Sequence, residues 1–315
     1  MKLLYLSISS ILYVLSFSPF DYKVFIFFSL VFLFHSLENL SIKNKIKAAI
    51  CFALLCHLLG TSWINYSLVN YGSLGYLLSY IITFLFVLII SLPYVLIGIY
   101  KSISSNNYFY LCYIASLFVL AEYLKSILYG GFSWLLIGHS QNGTIFDFVY
   151  PILGSFGVSY LVVLTSLFFY KAFNDRNKIS LILSSVLISF YFLNPIYHNS
   201  ENTSDADTVS YTLYQPNIYP QQSYDSTQYS LIMEKYNNIL NMNKTSDLVI
   251  FPETIISIPF TREGELFKSF QTLTDDTKML IAGLFLKSDD KFFNSMIFFS
   301  SNINIYNKRK LVPFG

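Results

Sequence analysis

The chain has 315 residues, of which 54% are hydrophobic and only 12% charged, and its mean hydropathy is +0.51. Ordinary soluble domains carry about 25% charged residues, so this composition excludes a plain soluble domain and is that of a membrane protein. A net charge of +2 leaves no electrostatic footprint for nucleic acid.

The charges divide the chain in two. Up to Ile196 there are 10 Lys/Arg and 5 Asp/Glu, and from Tyr197 onward there are 10 and 13. This predicts a transmembrane helix bundle over 1–197 and a water-soluble domain over 198–315. A membrane helix needs roughly 20 mainly apolar residues. Seven segments qualify, at about 3–18, 23–38, 46–66, 74–100, 108–128, 156–173 and 179–196. The first reads as a retained helix rather than a signal peptide, because no small-x-small cleavage site follows it and "SPFDYK" leads straight into the next span. Lys2, then Lys43, Lys45 and Lys47, then Lys101, then Lys171, Arg176 and Lys178 fall at alternate ends, which orients those ends to the cytoplasm. The opposite ends hold Lys23 and Lys125 and little else. An odd number of spans starting inside delivers the second domain to the outer face.

Two features of the bundle are not plain lipid-facing helix. Glu122 and Lys125 are three residues apart, close enough to pair across a helical turn. Ionisable residues at membrane depth face a bundle interior or cavity, so the pair is either a structural tie or a functional one. The glycine-rich, aromatic stretch Tyr129 to Gly157 either dips into the lipid interface or caps the bundle. The three cysteines, Cys51, Cys56 and Cys112, all sit in apolar segments and read as inert buried thiols. His35, His57, His139 and His198 have no ligand-like spacing with carboxylates, so no metal and no cofactor is expected.

"NSENTSDAD" (Asn199 to Asp207) reads as a polar linker. Beyond it "TVSYTLYQPNI" alternates like a strand. "TQYSLIMEKYNNILNMN" has helical spacing at Leu231, Tyr236, Ile239 and Leu240. The strand "DLVIF", a helix around 263–273, and the strands "KMLIAGLF", "NSMIFFS" and "NINIYN" follow. Strand and helix alternate, which is an α/β pattern too short for a whole double-layered sandwich. In "DLVIFPETIIS" the apolar run stops at Pro252, which ends the hydrogen-bond ladder, and then presents Glu253. Such a carboxylate is either a solvated turn residue or a placed base.

The order of helix bundle, linker, "QPNI", "FPET" and "YNKRKLVPFG" resembles the apolipoprotein N-acyltransferases, bacterial inner-membrane enzymes with a periplasmic nitrilase-like domain. In the bundle "SFSPF" (Ser16 to Phe20), "GTSWINYSL" (Gly60 to Leu68) and "LAEYLKSILYGGFSWLLIGHSQ" (Leu120 to Gln141) are similar to that family's membrane motifs. The resemblance implies a partial αββα sandwich after about seven spans, lying in the periplasm. It also implies a Glu-Lys-Cys triad that moves an acyl chain from a phospholipid, through a thioester, to the amine of a lipoprotein's diacylglyceryl-cysteine. Glu253 takes the place of the general base, its pKa raised toward working pH by a rigid, poorly solvated strand end. Lys308 takes the place of the oxyanion-stabilising cation, in preference to its neighbours Arg309 and Lys310.

Two departures stand out. Where the family often has a tryptophan seven residues after the Asn of "QPNI", this chain has Tyr224. The chain stops at "LVPFG", where the resemblance implies a glutamate, the nucleophilic cysteine, the rest of the sandwich and a last membrane helix. On that reading the 315 residues are C-terminally truncated and inactive alone. Two other readings stay open: a lipid- or lipoprotein-binding membrane protein without chemistry, and a multi-pass transporter, which needs polar, broken helices near mid-membrane.

Overall fold

The computed structural model describes residues 2–192 except 71, 73 and 104–107. It also describes 209–311 except 219–226, 228, 243–245, 256–258, 262–266, 269–270, 272–273, 275–278, 289 and 301. The linker at 199–207, Tyr224 and most of the helix expected at 263–273 lie outside the described residues. Two compact units are present, a helical one within 1–201 and an α/β one within 202–311.

In the helical unit near-continuous apolar sequence forms α1 (Lys2–Leu15), α2 (Phe25–Leu37), α3 (Ile42–Gly60), α4 (Trp63–Asn70), α5 (Tyr76–Ser91), α6 (Tyr108–Ile127), α7 (Tyr150–Asn174) and α8 (Lys178–Phe192). Breaks fall where the chain cannot continue a helix. Pro93 has no N–H to donate, and α5 passes there into a 3-10 turn over Leu92–Gly98. Gly154, at φ 65°, kinks α7 near its start. By length and composition Tyr76–Gly98, Tyr108–Ile127 and Tyr150–Asn174 can each cross a membrane, and α3 with α4, bent by 52°, makes a fourth span if counted as one. With 14 and 13 residues, α1 and α2 are apolar but shorter than a straight crossing requires. The architecture is that of a multi-pass membrane protein, with three or four spans supported by length among the described residues where seven are expected from hydropathy.

Small and aromatic residues knit the bundle. Ser9 Oγ donates to Ser29 O at 2.7 Å and Ser29 Oγ to Ser9 O at 2.8 Å, a reciprocal pair holding α1 to α2. Phe34, Phe52 and Phe118 are fully buried in the core of the bundle. At one end Lys2 Nζ donates to Glu38 O at 2.5 Å, and Lys45 Nζ donates to the carbonyls of Tyr100 and Lys101. Glu38 in turn accepts from Ser102 Oγ at 2.5 Å and Ile103 N at 3.3 Å.

Glu122 and Lys125 are buried on α6, but they form no ion pair with each other, contrary to the pairing expected from their spacing. Each instead serves the non-helical stretch that follows α6. Glu122 Oε1 accepts from Ile137 N at 2.6 Å, and Lys125 Nζ donates to Trp134 O at 2.8 Å and Leu135 O at 3.4 Å. Tyr13 OH donates to the same Leu135 carbonyl at 2.9 Å, and Ser159 Oγ accepts from Gly138 N at 2.8 Å. Irregular backbone inside a membrane bundle must find partners for its polar groups; the two charges supply them. A Cβ on Gly138 would overlap the Ser155 carbonyl, so only glycine lets the loop lie this close to α7. The loop therefore caps the bundle with Leu135, Ile137 and Ile145 buried, while Trp134 stays exposed.

Among its described residues the α/β unit has a five-stranded sheet in sequence order: β1 (Tyr211–Leu213), β2 (Leu248–Ile250), β3 (Met279–Ser288), β4 (Lys291–Phe299) and β5 (Asn304–Asn307). The pairs β1–β2 and β2–β3 are parallel, while β3–β4 and β4–β5 are antiparallel. Between β1 and β2 runs α9 (Tyr229–Met242), the crossover that a parallel pair needs. Its buried stripe is Ile232, Met233, Tyr236 and Ile239. Leu231, placed on that stripe by sequence spacing, is instead 60% exposed, because the face is set one residue further along. The stripe packs in one core with Val249, Leu280, Ala282, Leu284, Ile297 and Phe299, which share one face of the sheet. The opposite face carries Tyr211, Leu213, Phe292, Met296 and Tyr306, each more than half exposed.

Candidate active site

The end of β2 is held out from the sheet by a glycine. Phe251 N still donates to Ile281 O at 2.8 Å, but Pro252 has no N–H and contributes only its carbonyl, which accepts from Gly283 N at 3.2 Å. Ile255 N returns to Gly283 O at 3.0 Å. Between these bonds Glu253 and Thr254 arch over β3. A Cβ on Gly283 would stand 2.5 Å from Glu253 Cα and 2.7 Å from Pro252 O, so the arch needs glycine beneath it. Thr254, with φ 50°, adopts a left-handed conformation that a β-branched residue rarely takes. This strain beside an exposed carboxylate is of the kind that collects at functional sites.

Lys308 arrives from the other side of the sheet. β5 ends at Asn307, where Ser295 Oγ donates to Asn307 Oδ1 at 2.7 Å and Lys308 N donates to Asn294 O at 2.8 Å. The Lys308 ammonium then reaches Glu253 Oε1 at 3.0 Å. Of the three adjacent basic residues it is Lys308 that pairs with Glu253; the Arg309 guanidinium lies 5.9 Å over the Tyr306 ring and Lys310 is exposed. Asn294 Nδ2 donates to the same Oε1. Sequence reading placed Asn294 only as the start of a strand. Its link to Glu253, 41 residues away, comes from the β3–β4 register, which puts it opposite Phe285 on the face shared with Gly283. The alternation of β4, with Ser295 and Ile297 turned to the core, is the one sequence signal that could have placed it there.

One expectation is reversed. The Glu253 side chain is 61% exposed rather than dry, and that of Lys308 is 35% exposed. The ammonium of Lys308, and after it the Asn294 amide, hold the Glu253 carboxyl below its ordinary pKa instead of raising it. The carboxylate is therefore ionised at neutral pH and in the proton-accepting form. The "QPNI" turn lies in the same unit: Lys235 Nζ donates to Pro216 O at 2.8 Å, and Ile218 packs on the core. Cys51 and Cys56 lie on α3 and Cys112 on α6, so the chain places no thiol in the α/β unit.

A family model described as the apolipoprotein N-acyltransferase N-terminal domain matches residues 9–168, half of the chain. The chain belongs to the apolipoprotein N-acyltransferase family. The family model covers the bundle through α6, with Glu122, Lys125 and the loop they hold, and most of α7. Proteins named apolipoprotein N-acyltransferase extend the likeness into the α/β unit. That of Haemophilus ducreyi is 25% identical over 315 residues, covering 96% of this chain and 62% of its own length. That of Methylococcus capsulatus is 25% identical over 324 residues and covers 100% of this chain and 64% of its own. That of Wigglesworthia glossinidia brevipalpis is 26% identical, covering 96% of this chain and 63% of its own. The chain thus spans a little over three fifths of the length of these apolipoprotein N-acyltransferases.

Proposed function

We propose that the protein is a lipoprotein N-acyltransferase, moving an acyl chain from a phospholipid to the N-terminal amine of a lipoprotein's diacylglyceryl-cysteine through a thioester on the enzyme. The observation that carries this reading is the 3.0 Å contact of Lys308 with Glu253, two residues 55 positions apart, in a chain matched along its length by apolipoprotein N-acyltransferases. Glu253 takes the proton of the attacking thiol; the thiolate adds to the ester carbonyl, and the ester C–O bond breaks as Glu253 returns that proton to the departing lysophospholipid oxygen. The amine then adds to the thioester and gives its proton to Glu253, which passes it to the departing sulfur as the C–S bond breaks and the thiol is regenerated. In both tetrahedral intermediates the Lys308 ammonium faces the developing oxyanion.

The same reading assigns the architecture. The α/β unit, within 198–315, is part of a nitrilase-like αββα sandwich, which its uncovered apolar face supports, since a sheet layer buries both faces in such a fold. Residues 1–197 form about seven spans of the bacterial inner membrane, α1 to α8 filling the seven apolar segments. Lys2, Lys45 and Lys101 gather at one end of the bundle, which supports a cytoplasmic side there and a periplasmic α/β unit.

On this reading the acylated thiol is none of Cys51, Cys56 and Cys112, whose helices must keep their backbone bonds within lipid. The test uses the protein expressed from its complete gene, incubated in detergent with a phospholipid carrying an alkyne-tagged acyl chain. A hydroxylamine-sensitive adduct is expected on a cysteine other than these three. An adduct mapped to any of the three membrane cysteines contradicts the assignment, and no adduct at all favours a protein that binds lipid without chemistry.

A further inference from the structure

We infer that Asn294 is a positioning residue that holds Glu253 and Lys308 as one unit and leaves Glu253 Oε2 as the proton-accepting oxygen. This deepens the catalytic reading above and rests on it. Asn294 acts through two different groups. Its side-chain amide donates to Glu253 Oε1, and its backbone carbonyl accepts the N–H of Lys308 at 2.8 Å. A single residue of β4 therefore touches both partners, and the ladder to β5 fixes its height: Ser295, one residue on, is in register with Asn307, one residue before Lys308.

The donors converge unequally on the carboxylate. Asn294 Nδ2 and Lys308 Nζ both reach Oε1. Among the described residues no protein donor reaches Oε2, although the side chain is 61% exposed. A carboxylate with one oxygen tied down by two donors keeps a fixed plane, and its other oxygen keeps free lone pairs. That is the geometry a base needs: one oxygen anchored, the other open toward an incoming thiol or amine. The residue type follows from the same contact. An ionised carboxylate accepts only, so its neighbour must donate, and an amide does so without adding a positive charge that would compete with Lys308 for Glu253. Lys308 is the charge acting on Glu253 and Asn294 the neutral donor beside it.

The experiment measures the titration of Glu253 in the 315-residue chain in detergent, from the pH dependence of its modification by a water-soluble carbodiimide, read by peptide mass spectrometry. With both donors present the midpoint lies below that of an ordinary carboxyl. In Asn294→Ala it is expected to rise toward the ordinary value. In Asn294→Asp, which keeps the shape but loses the donor and adds a negative charge, it is expected to rise further. Acyl transfer by the complete gene product carrying Asn294→Ala is expected to fall in kcat by about 10²-fold, the cost of a small misplacement, with KM within about threefold. An unchanged Glu253 midpoint in either variant overturns the inference, and Asn294→Asp keeps the test open if Asn294→Ala fails to fold. A shifted midpoint in a protein whose parent transfers no acyl chain leaves the clamp standing and removes the acyltransferase reading instead.

Discussion

In two glutamate–lysine pairs among the described residues the same residue types do opposite work. On α6, Glu122 and Lys125 are 0% and 2% exposed and make no direct ion pair, each hydrogen-bonding the loop backbone at 134–137 instead. In the α/β unit Glu253 and Lys308 are 61% and 35% exposed and turn toward each other at 3.0 Å. The first pair serves structure: Glu122 Oε1 and the Lys125 ammonium complete backbone that would otherwise lie unsatisfied in an apolar bundle, while Glu122 Oε2 stays buried without a hydrogen-bond partner among the described residues. The second is held by few contacts and opens its carboxylate to solvent. What separates an anchoring charge from a reactive one is therefore burial and the identity of the partner, not residue type or spacing.

The sharpest way to break this contrast is to damage the anchoring pair. Lys125→Met removes the ammonium from the Trp134 and Leu135 carbonyls and leaves Glu122 without its neighbouring cation, a change expected to cost about 2–4 kcal/mol. Thermal unfolding of the helical unit in detergent, followed by circular dichroism, checks it; a melting curve like that of the parent would mean the loop does not depend on the pair. A smaller effect is expected in the α/β unit from Gly283→Ala. The added methyl meets Glu253 Cα and Pro252 O, and overpacking of this kind costs about 1–3 kcal/mol. Because the displaced backbone is that of Glu253, acyl transfer should suffer more than stability does, and equal losses in both would deny the arch a positioning role.

The sequence made one of the two pairs easier to find than to interpret. Spacing alone exposed Glu122 and Lys125 but not their partners, which belong to a loop 9 to 15 residues further on. In the α/β unit the apolar run ending at Pro252 located β2, and alternation located β3, β4 and β5, since strand period and turn residues are local properties. The family motifs singled out Glu253 and Lys308. Local pattern could not show that the carboxylate is wet rather than dry, because its exposure depends on how Gly283 carries the arch across β3. Nor could it show Asn294, whose relevance arises only when register brings residues 253, 294 and 308 together. The span count suffers from the same limit: hydropathy marks apolar segments, whereas the lengths of α1 and α2 are set by where the turns fall.

The smallest expected effect is that of pH on the exposed pair. Glu253 has a lower pKa folded than unfolded, so its contribution to stability is fully present above the unfolded value and is lost as pH falls through the folded one. For so exposed a pair the loss is under about 1 kcal/mol. Unfolding of the α/β unit should thus change little between neutral and mildly acidic pH, and Glu253→Gln should flatten even that slope. A steeper acid transition that survives Glu253→Gln would place the sensitive carboxylate elsewhere.

The most direct measurement is acyl transfer by the complete gene product, from a labelled phospholipid to a diacylglyceryl-cysteine peptide, in variants of the exposed set. Glu253→Gln and Lys308→Ala are each expected to lower the rate by about two to four orders of magnitude while the helical unit melts as in the parent, and Lys310→Ala should leave it near normal. Near-normal turnover in Glu253→Gln, or loss in Lys310→Ala with Lys308→Ala active, would contradict the assignment of the reactive pair.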